Sequence, residues 1–328
     1  MKDKSLNQIQ SQSHRRGFTL VELLVAIGII MVLIGILLPA LGKVSTKAKA
    51  TATTATMNEF AKACDGFYTQ FGYYPGIVPE AMLAATVNPP ISGTENALLH
   101  LMGGAIRNDD PTYAASAGTE FTFGTAGTTG TGQVKIKINA IDIGKGPRIE
   151  GKQYDPLFTP KDAQLKIAVG QVGQTLPLPD LLDAWGQPIG YIRSSRPTGL
   201  MTGAVADNPQ FFIEPLLPYF NSTGLGDLAI DQTANCVFYA GSTLNKQEYL
   251  AQLIRHPAMG SFALLSDAKA GTPRGKYFLF SAGPDGIFFA KTLDGPTPTV
   301  ATLSFTGPDA RKPDVDKTYN DIIVPGGG

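Results

Sequence analysis

The sequence is poor in the residue types that build most catalytic and metal centres. Its 328 residues include only two cysteines, Cys64 and Cys236, and three histidines that stand far apart. Two cysteines exclude a disulfide-dense scaffold and an ordinary cysteine zinc cluster, and they leave open both a single bridge and two free thiols. The histidines lie outside any HExxH or nucleophile-elbow motif, so the sequence predicts a protein without enzymatic activity.

An excess of charge of either sign is also lacking. Lysine plus arginine and aspartate plus glutamate each number 27, so no bulk charge favours nucleic acid as a partner. The basic residues Lys2, Lys4, Arg15 and Arg16 nevertheless gather at the start of the chain, with Asp3 as the one acid among them. The hydrophobic content of 43% suffices for a packed core.

A long apolar run follows this basic segment. Residues 18–38 contain a single charged residue, Glu22, and a helix of that length spans a bilayer core. The basic flank predicts a cytoplasmic N-terminus and an exported C-terminal region. An ordinary signal peptide would have a shorter run before a small-residue cleavage site. A plain anchor gives no reason for Glu22, because an ionised carboxylate in lipid costs about 3 kcal/mol or more.

The segment Arg-Arg-Gly-Phe-Thr-Leu-Val-Glu-Leu-Leu at residues 15–24 resembles the processing signal of type IV prepilins and type II secretion pseudopilins. The resemblance implies cleavage between Gly17 and Phe18 by a prepilin peptidase, followed by N-methylation of Phe18. Glu22 would then be the fifth residue of the processed chain and would neutralise the terminal amine of a neighbouring subunit. Such pairing would set the register of an assembling filament.

The helical pattern extends beyond the apolar run to about residue 71. Five residues recur at spacings of three and four and define one face that we expect to dock on a globular head: Met57, Phe60, Cys64, Phe67 and Phe71. Residues 45–56 have no large apolar side chain, which favours a solvated or filament-lining helix. Gly72 and Pro75 predict the helix end, in a segment that resembles the aromatic-Gly-x-Tyr-Pro exit of major pseudopilins.

Two later segments extend the resemblance to major pseudopilins. Residues 183–191, Asp-Ala-Trp-Gly-Gln-Pro-Ile-Gly-Tyr, are similar to the turn that opens their sheet. We expect Trp185 to be buried against the helix, with carbohydrate stacking as the alternative role. Residues 277–280 predict a strand, and the following Ser-x-Gly-x-Asp-Gly at 281–286 resembles the family's calcium loop.

The resemblance implies a structural calcium ion with a defined set of oxygen ligands. These ligands would be the Ala282 carbonyl, Asp285, Asn320 and Asp321. Hard oxygen donors at turns suit calcium, although Asn320 replaces a carboxylate and lowers the charge of the set. The alternative is that these residues only form turns.

The region of about residues 77–180 is long for the family and is interpreted as an insertion displayed on the head surface. Its Gly/Thr-rich part at residues 116–133 predicts a mobile loop. Residues 134–138, Val-Lys-Ile-Lys-Ile, alternate as a half-buried strand does. The predicted organisation is therefore a leader at 1–17, a helix at 18–71 that crosses the membrane at about 18–38, and a head at 72–328.

The implied fold is α+β: a long N-terminal helix, transmembrane and then amphipathic, packed on an antiparallel β-sheet head with insertions. The resemblance implies a structural pseudopilin of a type II secretion system, anchored in the inner membrane by one span with a periplasmic head. Its partners would be the prepilin peptidase, the inner-membrane assembly platform, other pseudopilins and further copies in a homo-oligomeric filament. The alternative function is a type IV pilin of a surface fibre for adhesion or DNA uptake.

Overall fold

The computed structural model describes residues 19–86, 90–124, 133–168, 178–212, 251, 253–256, 270–288 and 322–327. The chain divides between Ala48 and Lys49 into two compact units. The longest element, helix α1, covers Leu20–Phe71 and begins in the first unit. The α+β class predicted from the sequence is confirmed by this helix and by the antiparallel sheets of the second unit.

The first unit is described from residue 19 and consists of helix. All its described side chains are exposed, among them Leu20, Met31 and Ile36. Pro39 predicts a kink or local melting of the helix. The backbone is helical at residue 39, so the helix does not melt there. Among the described residues, α1 is the one helix long and apolar enough to cross a membrane.

In the second unit, residues 49–71 of α1 bury the face predicted from the sequence. Met57, Phe60, Cys64 and Phe67 are fully buried, and Phe71 packs against their cluster. Their spacing of three and four residues puts them on one side of the helix. The prediction of an apolar docking face is therefore confirmed.

The central sheet of the second unit has the strand order β12–β11–β8 and is antiparallel throughout. Its strands are β8 (Gly190–Arg193), β11 (Tyr277–Ser281) and β12 (Ile322–Gly326). Alternate side chains of β11 enter two core clusters: Tyr277 and Leu279 join the α1 cluster, whereas Phe278 and Phe280 join the second. Both faces of the middle strand are therefore covered, which confirms the strand predicted at 277–280.

Helix α3, Gly93–Met102, is buried along its whole length. Its start is a capping box, because Ser92 Oγ accepts from the Glu95 N–H and the Glu95 carboxylate accepts from the Ser92 N–H. Residues of α3 enter both core clusters. The interpretation of residues 77–180 as a surface-displayed region is wrong for this helix, since it supplies core side chains.

A second antiparallel sheet has the order β1–β3–β2, with β1 at Ala105–Arg107, β2 at Thr119–Phe123 and β3 at Val134–Ile138. The strand predicted at 134–138 is confirmed, with Ile136 and Ile138 buried. The loop predicted at 116–133 contains β2, whose backbone pairs antiparallel with β3. Its alternating Thr-Glu-Phe-Thr-Phe sequence indicates a strand, and the Gly/Thr-rich composition around it obscured that pattern.

The remaining elements are short. Helix α2 covers Glu80–Ala85; the strands are β4 (Arg148–Ile149), β5 (Lys152–Gln153), β6 (Leu165–Ala168), β7 (Leu178–Leu181), β9 (Thr202–Gly203) and β10 (Phe211–Phe212). The pairs β4/β5 and β6/β7 are antiparallel, whereas β9/β10 is parallel. Residues 236–239, Cys-Val-Phe-Tyr, have the pattern of a further strand, and they lie outside the described residues.

Candidate functional site

Glu22 closes a capping box at the start of α1. The Thr19 N–H and the Thr19 hydroxyl each donate to Glu22 Oε2 at 2.8 Å, and the Glu22 N–H donates to Thr19 Oγ1 at 3.2 Å. This arrangement satisfies backbone donors that a helix start otherwise leaves without partners. Glu22 is therefore hydrogen-bonded within its own chain before any other subunit approaches. Gly17 and Phe18, the predicted cleavage and methylation positions, lie outside the described residues.

Asp183 organises the turn that leads into β8. Its Oδ1 accepts from the N–H groups of Trp185 and Gln187 at 2.8 and 2.9 Å, and its Oδ2 accepts from Ser281 Oγ at 2.7 Å. Burial raises the pKa of this carboxyl, and the hydrogen bonds from Ser281 and the turn oppose that rise. Asp183 thus joins the two head segments that carried the resemblance, residues 183–191 and 281–286.

The turn docks on α1 through its backbone. The Ala184 N–H donates to Thr53 Oγ1 at 3.0 Å, and a second threonine of α1, Thr56, accepts from Gln164 Nε2 at 2.7 Å. Trp185 is only half-buried, so the expectation that it is buried against the helix is wrong. Thr53 and Thr56 are buried, and the solvated character predicted for residues 45–56 does not extend to them.

Two of the four expected calcium ligands are described. Ala282 is buried before the short turn Gly283–Asp285, and Asp285 Oδ1 accepts from the Ile287 N–H at 3.0 Å. A carbonyl and a carboxylate suit calcium in kind, and the Asp285 bond is also ordinary turn chemistry. Asn320 and Asp321 lie outside the described residues. Among the residues that are described, no group of three acidic, histidine or cysteine side chains is placed to hold a metal.

The comparison with known proteins identifies the N-terminal segment. Residues 12–38 match the family described as the prokaryotic N-terminal methylation motif, and the long apolar helix begins within the matched segment. The chain therefore carries the type IV pilin and pseudopilin signature. No curated protein and no solved structure matches this pilin-like chain.

The pilin-like head contains a buried ion pair that sequence reasoning missed. Arg193, at the end of β8, donates through Nε to Glu80 Oε1 at 2.6 Å and through its terminal nitrogens to the carbonyls of Tyr74, Gly76 and Val78. The two charged side chains are only 10% and 3% exposed. Arg193 therefore fastens the chain that leaves α1 to the central sheet.

Gly72 and Gly76 allow the chain to turn where it leaves α1. Gly72, the first residue after α1, has a φ of 80°, as the predicted glycine C-cap requires. A Cβ on Gly76 would lie 2.7 Å from the Arg193 guanidinium, so a side chain there would displace the arginine. The aromatic-Gly-x-Tyr-Pro segment is the one signal in the sequence that marks this region.

His100 and Cys64 are the buried titratable groups beside this exit. His100 Nδ1 accepts from the Gly76 N–H at 3.1 Å, and burial, followed by the charge of Arg193, lowers the pKa of His100 to about 3. The imidazole is therefore neutral at physiological pH. Cys64 is a free thiol whose pKa burial raises well above its ordinary value. Cys236 lies outside the described residues.

Proposed function

We propose that this pilin-like protein is a structural pseudopilin of a type II secretion system, with no catalysis of its own. It would be drawn from the inner membrane into a short periplasmic filament that supports the export of folded proteins. The observation that carries the proposal is the bond from Ser281 Oγ to Asp183 at 2.7 Å. It joins the two segments whose sequences resemble major pseudopilins rather than pilins in general.

The matched methylation motif supports the proposed processing. A prepilin peptidase would cut between Gly17 and Phe18 and methylate Phe18, which removes the basic segment and leaves an amine beside the apolar span. Glu22 lies one helical turn further on, and its carboxylate would neutralise that amine in a neighbouring subunit. The proposed partners are this peptidase, the inner-membrane assembly platform, other pseudopilins and further copies of the chain.

The proposed topology follows from charge and hydropathy. The basic residues before the span favour a cytoplasmic N-terminus, and the head would then lie in the periplasm. The exposed apolar side chains of residues 20–37 would face lipid in the single subunit and other helices in the filament.

A structural calcium ion is part of the proposal. Ala282 and Asp285 from one loop and Asn320 and Asp321 from the later segment would hold it and tie the two together. A ligand that binds only the folded head stabilises it by about 2.7 kcal/mol at a hundredfold excess over Kd. We expect the melting temperature to rise in millimolar calcium, and Asp285→Ala to abolish that rise while Asp227→Ala keeps it. Equal melting in chelator and calcium would leave these residues as turn formers.

Deletion of the gene in its host tests the function. The proposal expects exported proteins to accumulate in the periplasm, and restoration by a plasmid that encodes the intact chain. N-terminal analysis of the restored protein should find methylated Phe18 as the first residue. A deletion strain with normal export that has lost surface fibres, adhesion or DNA uptake would instead make the protein a type IV pilin. A chain that still begins upstream of Phe18 in the presence of active peptidase would contradict both functions.

A further inference from the structure

The second unit contains an open cleft beside the end of α1. Its volume is about 840 Å³, within the range of roughly 300–1,000 Å³ that small-ligand sites occupy. The cleft lies between the last turns of α1, the chain that leaves the helix, and the segment after β8. Neither the membrane span nor the expected calcium loop contributes to its walls.

One wall of the cleft is aromatic. Tyr68 and Tyr74 stack with ring centroids 4.6 Å apart and an angle of 19° between the rings. Tyr68 is 46% exposed, and Tyr73, which also lines the cleft, is 42% exposed. Flat rings held in place by their neighbours and open to solvent provide a surface on which another flat, partly apolar molecule can lie.

Two cationic side chains, Arg196 and Lys276, also line the cleft. Arg196 Nε is buried and has no hydrogen-bond partner among the residues that the structure describes. Lys276 Nζ donates to the Pro197 carbonyl at 3.4 Å, which puts its charge next to the residue that follows Arg196. A buried donor without a partner costs free energy. The two side chains both line the cleft, so a carboxylate that lies between them would be attracted by both positive charges.

The cleft also offers groups that suit hydroxyls. Asp65 is exposed at its edge and accepts from the Tyr277 hydroxyl through Oδ1, which leaves Oδ2 as a further acceptor. Ser194, which also lines the cleft, has a hydroxyl that both donates and accepts. A ligand that combines carboxylate and hydroxyl groups matches this set. A peptide of glutamates matches it less well, because it has no hydroxyls to bond to Asp65 and Ser194.

The buried ion pair lines part of the cleft. Arg193, Glu80 and Gly76 all belong to this lining. Because Arg193 is held by Glu80 and by three backbone carbonyls, this part of the cleft is formed without a ligand. A preformed site loses little conformational entropy when it binds a ligand.

We propose that this cleft binds a short acidic saccharide. Its uronate carboxylate would lie between Arg196 and Lys276, a sugar ring would pack on the exposed tyrosines, and its hydroxyls would bond to Asp65 and Ser194. The binding site is independent of the proposed secretion function, since neither the processing signal nor the calcium loop takes part in it.

The test is calorimetric titration of the full-length protein in detergent micelles. The probes are trigalacturonate, the uncharged maltotriose, tetraglutamate and inorganic phosphate. We expect trigalacturonate to bind with a Kd below 1 mM, and each of the other three to bind at least tenfold more weakly. Arg196→Ala and Lys276→Ala should each weaken the binding of trigalacturonate at least tenfold, and Tyr68→Leu should weaken it several-fold.

The controls separate binding from folding. Lys166→Ala removes an exposed charge outside the cleft and should leave the affinity unchanged. Arg196→Ala should melt at the wild-type temperature or above it, because it removes a buried donor without a partner. Arg196→Lys keeps the positive charge but loses the planar guanidinium group, so this variant should bind trigalacturonate with intermediate affinity.

Four results would overturn the proposal. They are the absence of trigalacturonate binding, wild-type affinity in both Arg196→Ala and Lys276→Ala, tighter binding of tetraglutamate, and equal binding of phosphate. The third would assign the cleft to an acidic peptide, and the fourth would reduce it to a general anion site.

Discussion

The two units of the chain place their apolar residues in opposite environments. In the first, Leu20 is 80% and Met31 is 69% exposed, although both lie in the most apolar segment of the protein. In the second, Phe60, Phe67 and Phe278 are completely buried. The head therefore buries its own apolar side chains, whereas the apolar helix needs lipid or other helices to cover its surface.

Charged groups also differ between the two units, in where their partners lie. In the head, Arg193 and Glu80 form a pair that is almost fully buried, so the neutralising partner is part of the same fold. In the first unit, the Glu22 carboxylate bonds to Thr19, the uncharged residue that caps its helix. Among the residues that the structure describes, no salt bridge involves Glu22, so its charge is available to a partner outside the chain.

Substitution of Glu22 gives the largest effect that this comparison predicts. Glu22→Ala removes the carboxylate, and we expect crosslinked ladders of subunits in the membrane to be lost because the neighbouring amine has no partner. Membrane insertion should persist or improve, since a costly charge is gone. The unfolding free energy of the head should not change.

Glu22→Gln is the matched control. It keeps an oxygen that can accept from Thr19 in the capping box and removes the charge. If the charge is what matters, Glu22→Gln should fail to assemble as Glu22→Ala does. Ladders restored by Glu22→Gln would assign Glu22 to helix capping, and ladders intact in Glu22→Ala would show that it has no part in assembly.

Within the head, Arg193→Ala should have the largest effect on stability. It would leave the buried Glu80 carboxylate without its ion-pair partner. It would also remove the donor that bonds to three backbone carbonyls in the chain that leaves α1. Removal of one member of a buried pair typically costs about 3–5 kcal/mol. The measurement is urea unfolding of residues 49–328, provided that this fragment unfolds in one cooperative transition.

Arg107→Ala provides the control for this prediction. Arg107 pairs with Asp109 where the two side chains are 40% and 61% exposed, and exposed pairs contribute about 0–1 kcal/mol. Similar losses of unfolding free energy in the two variants would show that burial of the Arg193–Glu80 pair does not increase its contribution to stability. A loss of unfolding free energy below 1 kcal/mol for Arg193→Ala would contradict its role in holding the chain that leaves α1 on the central sheet.

Sequence reasoning succeeded where the physical signal is local. The buried face of α1 repeats every three or four residues, and the strand at 277–280 is a short apolar run that ends at a Gly/Pro turn. Each pattern is contained within a few turns of helix or one strand. Both elements were therefore predicted with their type and their approximate bounds.

The contacts that hold the head together are not local. Arg193 meets Glu80 across 113 residues, Asp183 meets Ser281 across 98, and Ala184 meets Thr53 across 131. No periodicity specifies which distant polar group a buried side chain will meet, because that choice depends on the folded topology. Thr53 in particular lies in a stretch whose composition predicts solvent exposure.

The cleft beside α1 was missed for the same reason. Its tyrosines follow one another in the sequence, but Arg196 and Lys276 reach it from the segments that flank β8 and β11. Only the pairing of these two strands brings the cations to the same cleft. The N-terminal signal, in contrast, is one contiguous segment and was recognised from the sequence alone.

The smallest predicted effect concerns His100 and the pH dependence of the head. The folded head keeps His100 neutral down to about pH 3, whereas an unfolded chain takes up this proton below about pH 6.5. The unfolded state therefore binds more protons in this pH range. The contribution of His100 to the unfolding free energy is retained above pH 6.5 and is lost as the pH falls. Between pH 7 and pH 5 we expect a loss of about 2 kcal/mol from this residue.

The measurement is urea unfolding of residues 49–328 at both pH values for the wild type and for His100→Gln. Glutamine keeps an acceptor for the Gly76 N–H but does not titrate. Other groups contribute equally to both proteins, so the difference between their pH dependences isolates His100. His100→Gln should lose less stability than the wild type on acidification. An equal loss in the two proteins would mean that the imidazole is not held neutral by its burial. In that case, the burial of His100 beside the chain that leaves α1 would not make the head sensitive to acid.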